Sequence, residues 1–553
     1  MKLLHQAARV AAVLSLLAVT STLSALAQYR DSYPKNADID IVSYDFEIGL
    51  SDTADSIDGR TTVTALFRGA GEESLTLDLV NKSKELDGKG MTVTDVQSDG
   101  RSLDYLHEQG KLLIRFPDSV PPGDVRRVTI TYTGTPAAGL VIGPNKYGDR
   151  TFFSDNWSFR VHNWLPVVDH PYDKAMTTMT ITAPSHYQVA SNGVRTESTD
   201  LGNGMRLTRY SNPVPTAPWL YFIGVAEFAI EQVDTFNGIP IETWVYRQDR
   251  DKGFHDFAEP SKKVLAFYSD LVGPYVNKRL ANIVSNATPG GGMEAASTPA
   301  YSDKSVTGDR SRRWQHVIIH EIAHQWFGNA VTEYHWNDVW LSEGFATYYT
   351  LLFREHLYGH DDFVQGLKDS RETVRKFYRE NYDFQIVRDY IDDLNDVSGA
   401  MMYQKGAWVL HMLRDRLGEE TYNEAVRSYY AEFMNGNAQT ADLRRHMEAA
   451  SGTDLSGYFS QWLFQGGIPT LQGTWRIDDG KLLVSLRQVQ ETYNFDVDVE
   501  LRVVMDDGSS KDLAVHVGPD DVAEMRFEVE GTVVDVVVDP RTVLLANWDF
   551  QRE

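Results

Sequence analysis

Hydrophobic and polar side chains alternate over much of the first part of the chain. In SYDFEIGL, Tyr44, Phe46, Ile48 and Leu50 fall on one face and Ser43, Asp45 and Glu47 on the other, the two-residue period of a half-buried strand. TTVTALF and RVTITYTG repeat it, with Gly, Asp, Pro and Asn turns between, so the pattern predicts an all-β region from about Ile39 to Phe228. Near Asn237-Gly238 the character changes: one or two strands (IPIETWVY) lead into longer helical runs from about Phe257 to about Phe464. Alternation returns from Pro469 to Glu553, where Phe495, Val497, Val499, Leu501 and Val503 share a face, as do Leu513, Val515 and Val517. Asp478-Asp479-Gly480 and Asp506-Asp507-Gly508 mark hairpin turns, and this amount of strand suits a small β-sandwich. The expectation is a multidomain α+β protein: an all-β domain over 28–232, a mixed domain over 233–467 and a β-sandwich over 468–553.

A length of 553 residues is too great for one core, and 42% hydrophobic with 11% aromatic residues is ordinary for packed globular domains. The formal net charge of −25 argues against nucleic acid and against anionic membrane as partners, since both want a basic face. The first 27 residues read as a cleavable leader, with Lys2 and Arg9 ahead of an apolar run from Val10 to Leu23 and a small-residue site at Ala25-Leu26-Ala27. No other segment approaches membrane-spanning length. Export to a bacterial periplasm or to the medium is the expectation. With no cysteine there is no disulfide and no thiolate ligand.

The chemistry gathers between His320 and Glu343. In VIIHEIAHQWFG the apolar residues Val317, Ile318, Ile319, Ile322, Ala323 and Phe327 suit a largely buried helix. His320 and His324 stand four apart, so both imidazoles project from one helix face and reach a single ion. Glu321 is turned about a quarter of a circle away, which suits a general base acting on metal-activated water better than a ligand. Catalytic zinc takes a third protein ligand, and Glu343, opening LSEGFATYYTLLF, supplies one if a short turn joins the two helices. His316 shares the face of His320, while His335, His356 and His411 have no partner at ligand spacing; all four read as structural or solvent-facing.

This much implies a zinc hydrolase and leaves endopeptidase and aminopeptidase both open. GGGMEA, residues 290–295, narrows it. Gly290 to Gly292 allow close backbone approach and positive φ, so an extended substrate can pair with Gly291, Gly292 and Met293. Glu294 then meets the end of that strand, where a carboxylate holds a free α-ammonium. Tyr403, in MMYQKGAWVLHML, precedes an amphipathic helix and is the candidate hydroxyl donor to the tetrahedral oxyanion.

GGGMEA, HEIAHQWFG, WLSEGFATYY and the YQKGA run together resemble the zinc-dependent aminopeptidase family that also contains leukotriene hydrolase, and WLPVVDHPYDKA at 164–175 resembles its amino-terminal signature. The resemblance implies an amino-terminal β saddle, a thermolysin-like catalytic domain and a β-sandwich. It implies one zinc ion on His320, His324 and Glu343, with Glu321 as base, Glu294 as amine anchor and Tyr403 as transition-state donor. Peptides with a free amino terminus would be the substrates; oligomeric state is not given.

The chain departs from the family at several points. Ala295 stands where the family usually has Asn, and Thr350 where many members carry a second glutamate. A family glutamine before the WLP run is absent, with Asp155 and Asn156 the candidates to replace it. The sequence stops after the β-sandwich, from which a more open cleft is expected. An endopeptidase, a lipid-epoxide hydrolase (for which Asp396 is near the right place) and a catalytically inactive binding module are the rival readings.

Overall fold

The computed structural model describes residues 30–288, 290–394, 399–491, 493–518 and 522–553; the leader and Asp396 lie outside them. The amino-terminal part is built on an eight-stranded sheet centred on Ile39–Gly49, Ile57–Phe67 and Val125–Thr135. Alternation in Ile39–Gly49 has a phase break: the register shifts between Ile41 and Ser43, and the bulge lets Ile39 and Ile41 face the same core as Tyr44, Phe46 and Ile48. Ala175–Pro184 lies parallel beside Ile39–Gly49, and Tyr44 and Phe46 pack against Tyr221 to join this sheet to a smaller four-stranded one.

The middle of the chain has a five-stranded sheet where the sequence suggested one or two strands. Its order is Phe228–Phe236, Ile239–Tyr246, Leu280–Ser285, Ala300–Ser302 and, at the edge, Gly292–Met293. Asn237 (φ 49°) and Gly238 (φ 81°) make the hairpin turn between the first two. Helices α1 (Arg250–Phe257) and α2 (Ser261–Leu271) connect Ile239–Tyr246 to Leu280–Ser285. Then come α3 (Arg312–Ala323), α4 (Trp340–Tyr358), α5 (His360–Tyr378) and α6 (Ala400–Leu417). Helices α7 (Glu419–Phe433), α8 (Thr440–Ser451) and α9 (Ser456–Leu463) complete the region.

The carboxy-terminal strands form a four-stranded and a three-stranded sheet, with Leu482, Val484 and Leu486 of one and Val499, Leu501 and Val503 of the other buried between them. Their core is continuous with that of the helical region, where the ring of Trp462 packs on Phe495 at 5.2 Å. Two polar clasps tie the amino-terminal part to the helical region. The Asp31 carboxylate accepts from the backbone N–H of Trp336 (2.9 Å), from Lys35 (2.6 Å) and from His170 (2.9 Å). Half-buried Lys174 donates to the carbonyls of Asn329, Ala330 and Gly436. Among the described residues no helix is long and apolar enough to cross a membrane.

Candidate metal centre

Helix α3 is amphipathic and buries Ile318, Ile319, Ile322 and Ala323 against the core, which turns His320 and the C-capping His324 toward α4. The link between α3 and α4 is not the short turn expected. It is a buried loop with a strand pair, Thr332–Glu333 against Asn437–Ala438, and a turn at Trp336–Asp338. It delivers Glu343 in the first turn of α4, where the positive end of the helix dipole favours a carboxylate.

Three donor atoms converge. His320 Nε2 and His324 Nε2 are 3.1 Å apart, and each lies near Glu343 Oε2, at 3.5 and 3.3 Å. A tetrahedral zinc ion with ligands at about 2.0–2.1 Å has edges of about 3.3 Å, so the spacing fits that ion without rearrangement. Glu343 Oε2 has no hydrogen-bond donor, which leaves its lone pairs for a cation. His324 Nδ1 faces the Phe327 carbonyl at 3.1 Å and Ser342 Oγ at 3.0 Å, an arrangement that puts the proton on Nδ1 and frees Nε2 to ligate. Burial opposes a charge on His324, yet Glu343 and Glu294 push its pKa up to about 10. Burial likewise opposes ionisation of Glu343, but His324 and His320 bring it down to about 2.

Glu321 lines the same cavity, and its carboxyl is pushed well up by burial and by Glu294. Gly292 is the reason it fits there: a Cβ at that position would stand 2.3 Å from Glu321 Oε1. Positive φ, expected of these glycines, is not found at Gly290, Gly291 or Gly292. Gly292–Met293 is the edge strand of its sheet, bonded on one side only, so its outer edge can pair with an extended chain. Glu294 follows it, buried, with Oε1 lacking any protein partner; burial pushes its pKa up to about 7 against the opposing pull of His324. Its backbone carbonyl is fixed by Gln325 and Asn329, both from the segment that follows His324.

Tyr403 lies within the first turn of α6, not before the helix as the sequence suggested. Its hydroxyl donates to Glu343 Oε1 at 2.8 Å, and its ring lies over His320 with centroids 6.0 Å apart. Helix packing sets this contact: Gly344 of α4 and Gly406 of α6 face each other so closely that a Cβ on either would meet the other glycine at 3.0 Å.

All the candidates thus meet at one place: His320, His324, Glu343, Glu321, Glu294, Gly291, Gly292 and Tyr403 line a cavity of about 550 Å³. Met293 lines an adjoining one of about 300 Å³ that shares Gly291, Gly292, Glu294, Glu343 and Tyr403 with the first. The second cavity separates the two candidates for the missing glutamine. Asp155 lines it, paired with Arg160 at 2.8 Å. Asn156 is spent in the wall, donating to the Tyr221 carbonyl and accepting from Trp164. Thr350 turns its hydroxyl back to the Ala346 carbonyl of its own helix, and Ala295 is buried.

His316, read from the sequence as structural or solvent-facing, lines the larger cavity on the His320 face, with Nε2 buried and unpartnered. His335 stands near Asp31 (3.8 Å), His356 packs against Phe267, and His411 is buried beneath the carboxy-terminal sheets.

Comparison with known families agrees with this geometry. The model described as "Peptidase M1 N-terminal domain" matches residues 41–220, and "Peptidase family M1 domain" matches 257–462. The chain belongs to peptidase family M1. Relatives include Aminopeptidase M1 of Arabidopsis thaliana, 28% identical over 58% of this M1 chain and 37% of the plant protein. Probable aminopeptidase 1 of Saccharolobus solfataricus is 24% identical over 72% of this chain and 52% of its own. Aminopeptidase 2, mitochondrial, of Saccharomyces cerevisiae is 29% identical over 59% and 35%. The chain therefore spans only about a third to a half of the length of these curated relatives.

Proposed function

We propose that this M1 chain is a zinc-dependent aminopeptidase that removes the first residue from peptides with a free amino terminus. The observation that carries the reading is Glu294: a buried carboxylate with an unpartnered oxygen, set at the end of an open strand edge beside the three metal-ligand donors. A buried carboxylate without a donor is costly unless a ligand completes it, and an α-ammonium at the end of a bound strand does so.

His320, His324 and Glu343 would hold one zinc ion, which when bound supplies Lewis-acid chemistry, polarising the scissile carbonyl and easing deprotonation of the attacking water. Gly291, Gly292 and Met293 align the substrate backbone, and Glu294 sets its register on the amino group. Glu321 takes the proton from the attacking water and delivers it to the leaving amine. The Tyr403 hydroxyl, kept protonated by burial beside Glu343, donates to the developing oxyanion.

The test uses aminoacyl-p-nitroanilides with free amines and the same set N-acetylated, each with and without a zinc chelator. Chelator-sensitive cleavage of the free-amine set alone is the expected result. Equal cleavage of the acetylated set would remove the anchor role of Glu294 and favour an endopeptidase.

A further inference from the structure

The smaller cavity carries the amine anchor Glu294 and the strand edge from Gly291 to Met293, while His320 and His324 line only the larger one. It is thus the cavity on the amino side of the cut, where the first side chain of a substrate held by Glu294 lies. Half-buried Trp157 is part of its wall. Behind this ring stand two buried ones. Trp157 packs edge-on against Trp219 at 4.9 Å and against Trp336 at 5.2 Å, and Trp219 and Trp336 are 5.9 Å apart. Protein interiors are close-packed, so Trp157 keeps its place in the wall only while Trp336 keeps its own.

Trp336 is held from far away in the chain. Its indole N–H has no protein partner, so no side-chain hydrogen bond fixes the ring. Its backbone N–H instead donates to Asp31 Oδ2 at 2.9 Å, across 305 positions of sequence. Asp31 is buried and fully bonded: Oδ2 also accepts from His170, and Oδ1 accepts from Lys35 and from the backbone N–H of Tyr33 (3.2 Å). Burial opposes its charge, yet His170, His335 and Lys35 hold its pKa well below the usual carboxylate range, which makes it a charged acceptor.

The backbone around Asp31 is fixed as well. Arg30–Asp31 lies parallel to Tyr390–Ile391, and Ser32 donates from N to the Ile391 carbonyl (2.8 Å) and from Oγ to the Asp392 carbonyl (2.9 Å). The segment from Arg388 to Leu394 is in turn bonded to both sides of the tryptophan cluster. Asn337, next to Trp336, donates to the Arg388 carbonyl (2.6 Å), and Ser158, next to Trp157, donates to the Leu394 carbonyl (2.6 Å). We propose that Asp31 is a positioning residue for substrate binding: by holding Trp336 it props Trp157, the specificity-determining wall for the first side chain. The inference rests on the aminopeptidase reading. It gives the clasp at the amino-terminal seam a role in selectivity beyond joining two parts of the chain.

The experiment measures kcat and KM of the zinc-loaded full chain on the free-amine p-nitroanilide panel and takes the ratio of kcat/KM between its most and least favoured members. Asp31→Ala should lower that ratio by about tenfold, the size of a lost pocket contact, mainly through KM and with bound zinc unchanged by metal analysis. Asp31→Asn, which keeps an acceptor for the Trp336 N–H, should restore part of it. Trp157→Ala should lower the ratio by itself and make it insensitive to Asp31→Ala, since the two act through one contact. The ratio is internal to each preparation, so a variant that folds poorly lowers all members alike. Arg371→Met, which breaks the buried pair with Asp539 at the carboxy-terminal seam, is the control for stability lost elsewhere and should leave the ratio as it is. A wild type without preference, an unchanged ratio in Asp31→Ala, or additive effects of Asp31→Ala and Trp157→Ala would overturn the positioning role while leaving the aminopeptidase intact. Cleavage of no panel member by the wild type would overturn both.

Discussion

Gly292 shows how one missing side chain holds a catalytic site together. The Glu321 carboxylate occupies the space where a Cβ at residue 292 would sit, so Gly292→Ala must push either the base or the substrate-pairing strand aside. A displacement of about 1 Å at a proton-transferring group costs about a hundredfold in rate, so kcat should fall by about that factor while bound zinc, measured by metal analysis, is unchanged. Gly291, with open space around it, should accept Ala with a much smaller loss. The sequence pointed to these glycines for substrate approach and for positive φ; positive φ is not found, and nothing in GGGMEA says that Glu321 is the neighbour. His316 and Asp155 were both named from the sequence, but the cavity each lines was not. What faces each across its cavity is a long-range fact that spacing along one helix or one loop does not carry.

At the scale of elements, the α4–α6 contact is the joint that brings Tyr403 to Glu343. Because Gly344 and Gly406 approach to 3.0 Å from a hypothetical Cβ, Gly406→Val should wedge the helices apart. Overpacking of this kind costs about 1–3 kcal/mol, and the Tyr403–Glu343 bond should be lost with it. Denaturant melts should show that loss, and activity should fall further than stability alone explains. Gly457, exposed on α9 with nothing within 4 Å, is the control: Gly457→Ala should stabilise by about 0.5–1 kcal/mol through helix propensity. The long helices and the alternating strands were legible because each has a period. Leu280–Ser285 was not, since it is buried on both faces and LANIVS shows no alternation; Gly292–Met293 and Ala300–Ser302 are too short to show one. The α3–α4 connection was misread because its order comes from a strand pair with Asn437–Ala438, a hundred residues on.

Across the whole molecule the three parts were separable in sequence by their periods, but the seams between them rest on buried polar groups that only the fold brings together. Two of these are histidines. His170 sits at the amino-terminal seam with Nε2 on the Asp31 carboxylate, and His411 of α6 donates from Nε2 to the Thr542 carbonyl of the carboxy-terminal part. Burial pushes both down to about 4, although Asp31 pulls His170 the other way and Arg414, Asp415 and Arg541 surround His411 with mixed charge. In the unfolded chain each takes up its proton near pH 6.5; in the folded protein each does so only near pH 4. Stability is therefore full above about pH 6.5 and is lost as pH falls toward 4, by up to about 3 kcal/mol for each histidine. Thermal melts should show the fall between pH 6.5 and 4. His411→Gln, which keeps a donor for Thr542 but has no proton to gain, should remove its share, about half of the fall, and leave that of His170. Hydrogen exchange over 535–545 should quicken first on acidification if the carboxy-terminal seam opens as its histidine charges, and a pH-independent exchange rate there would remove His411 from the account.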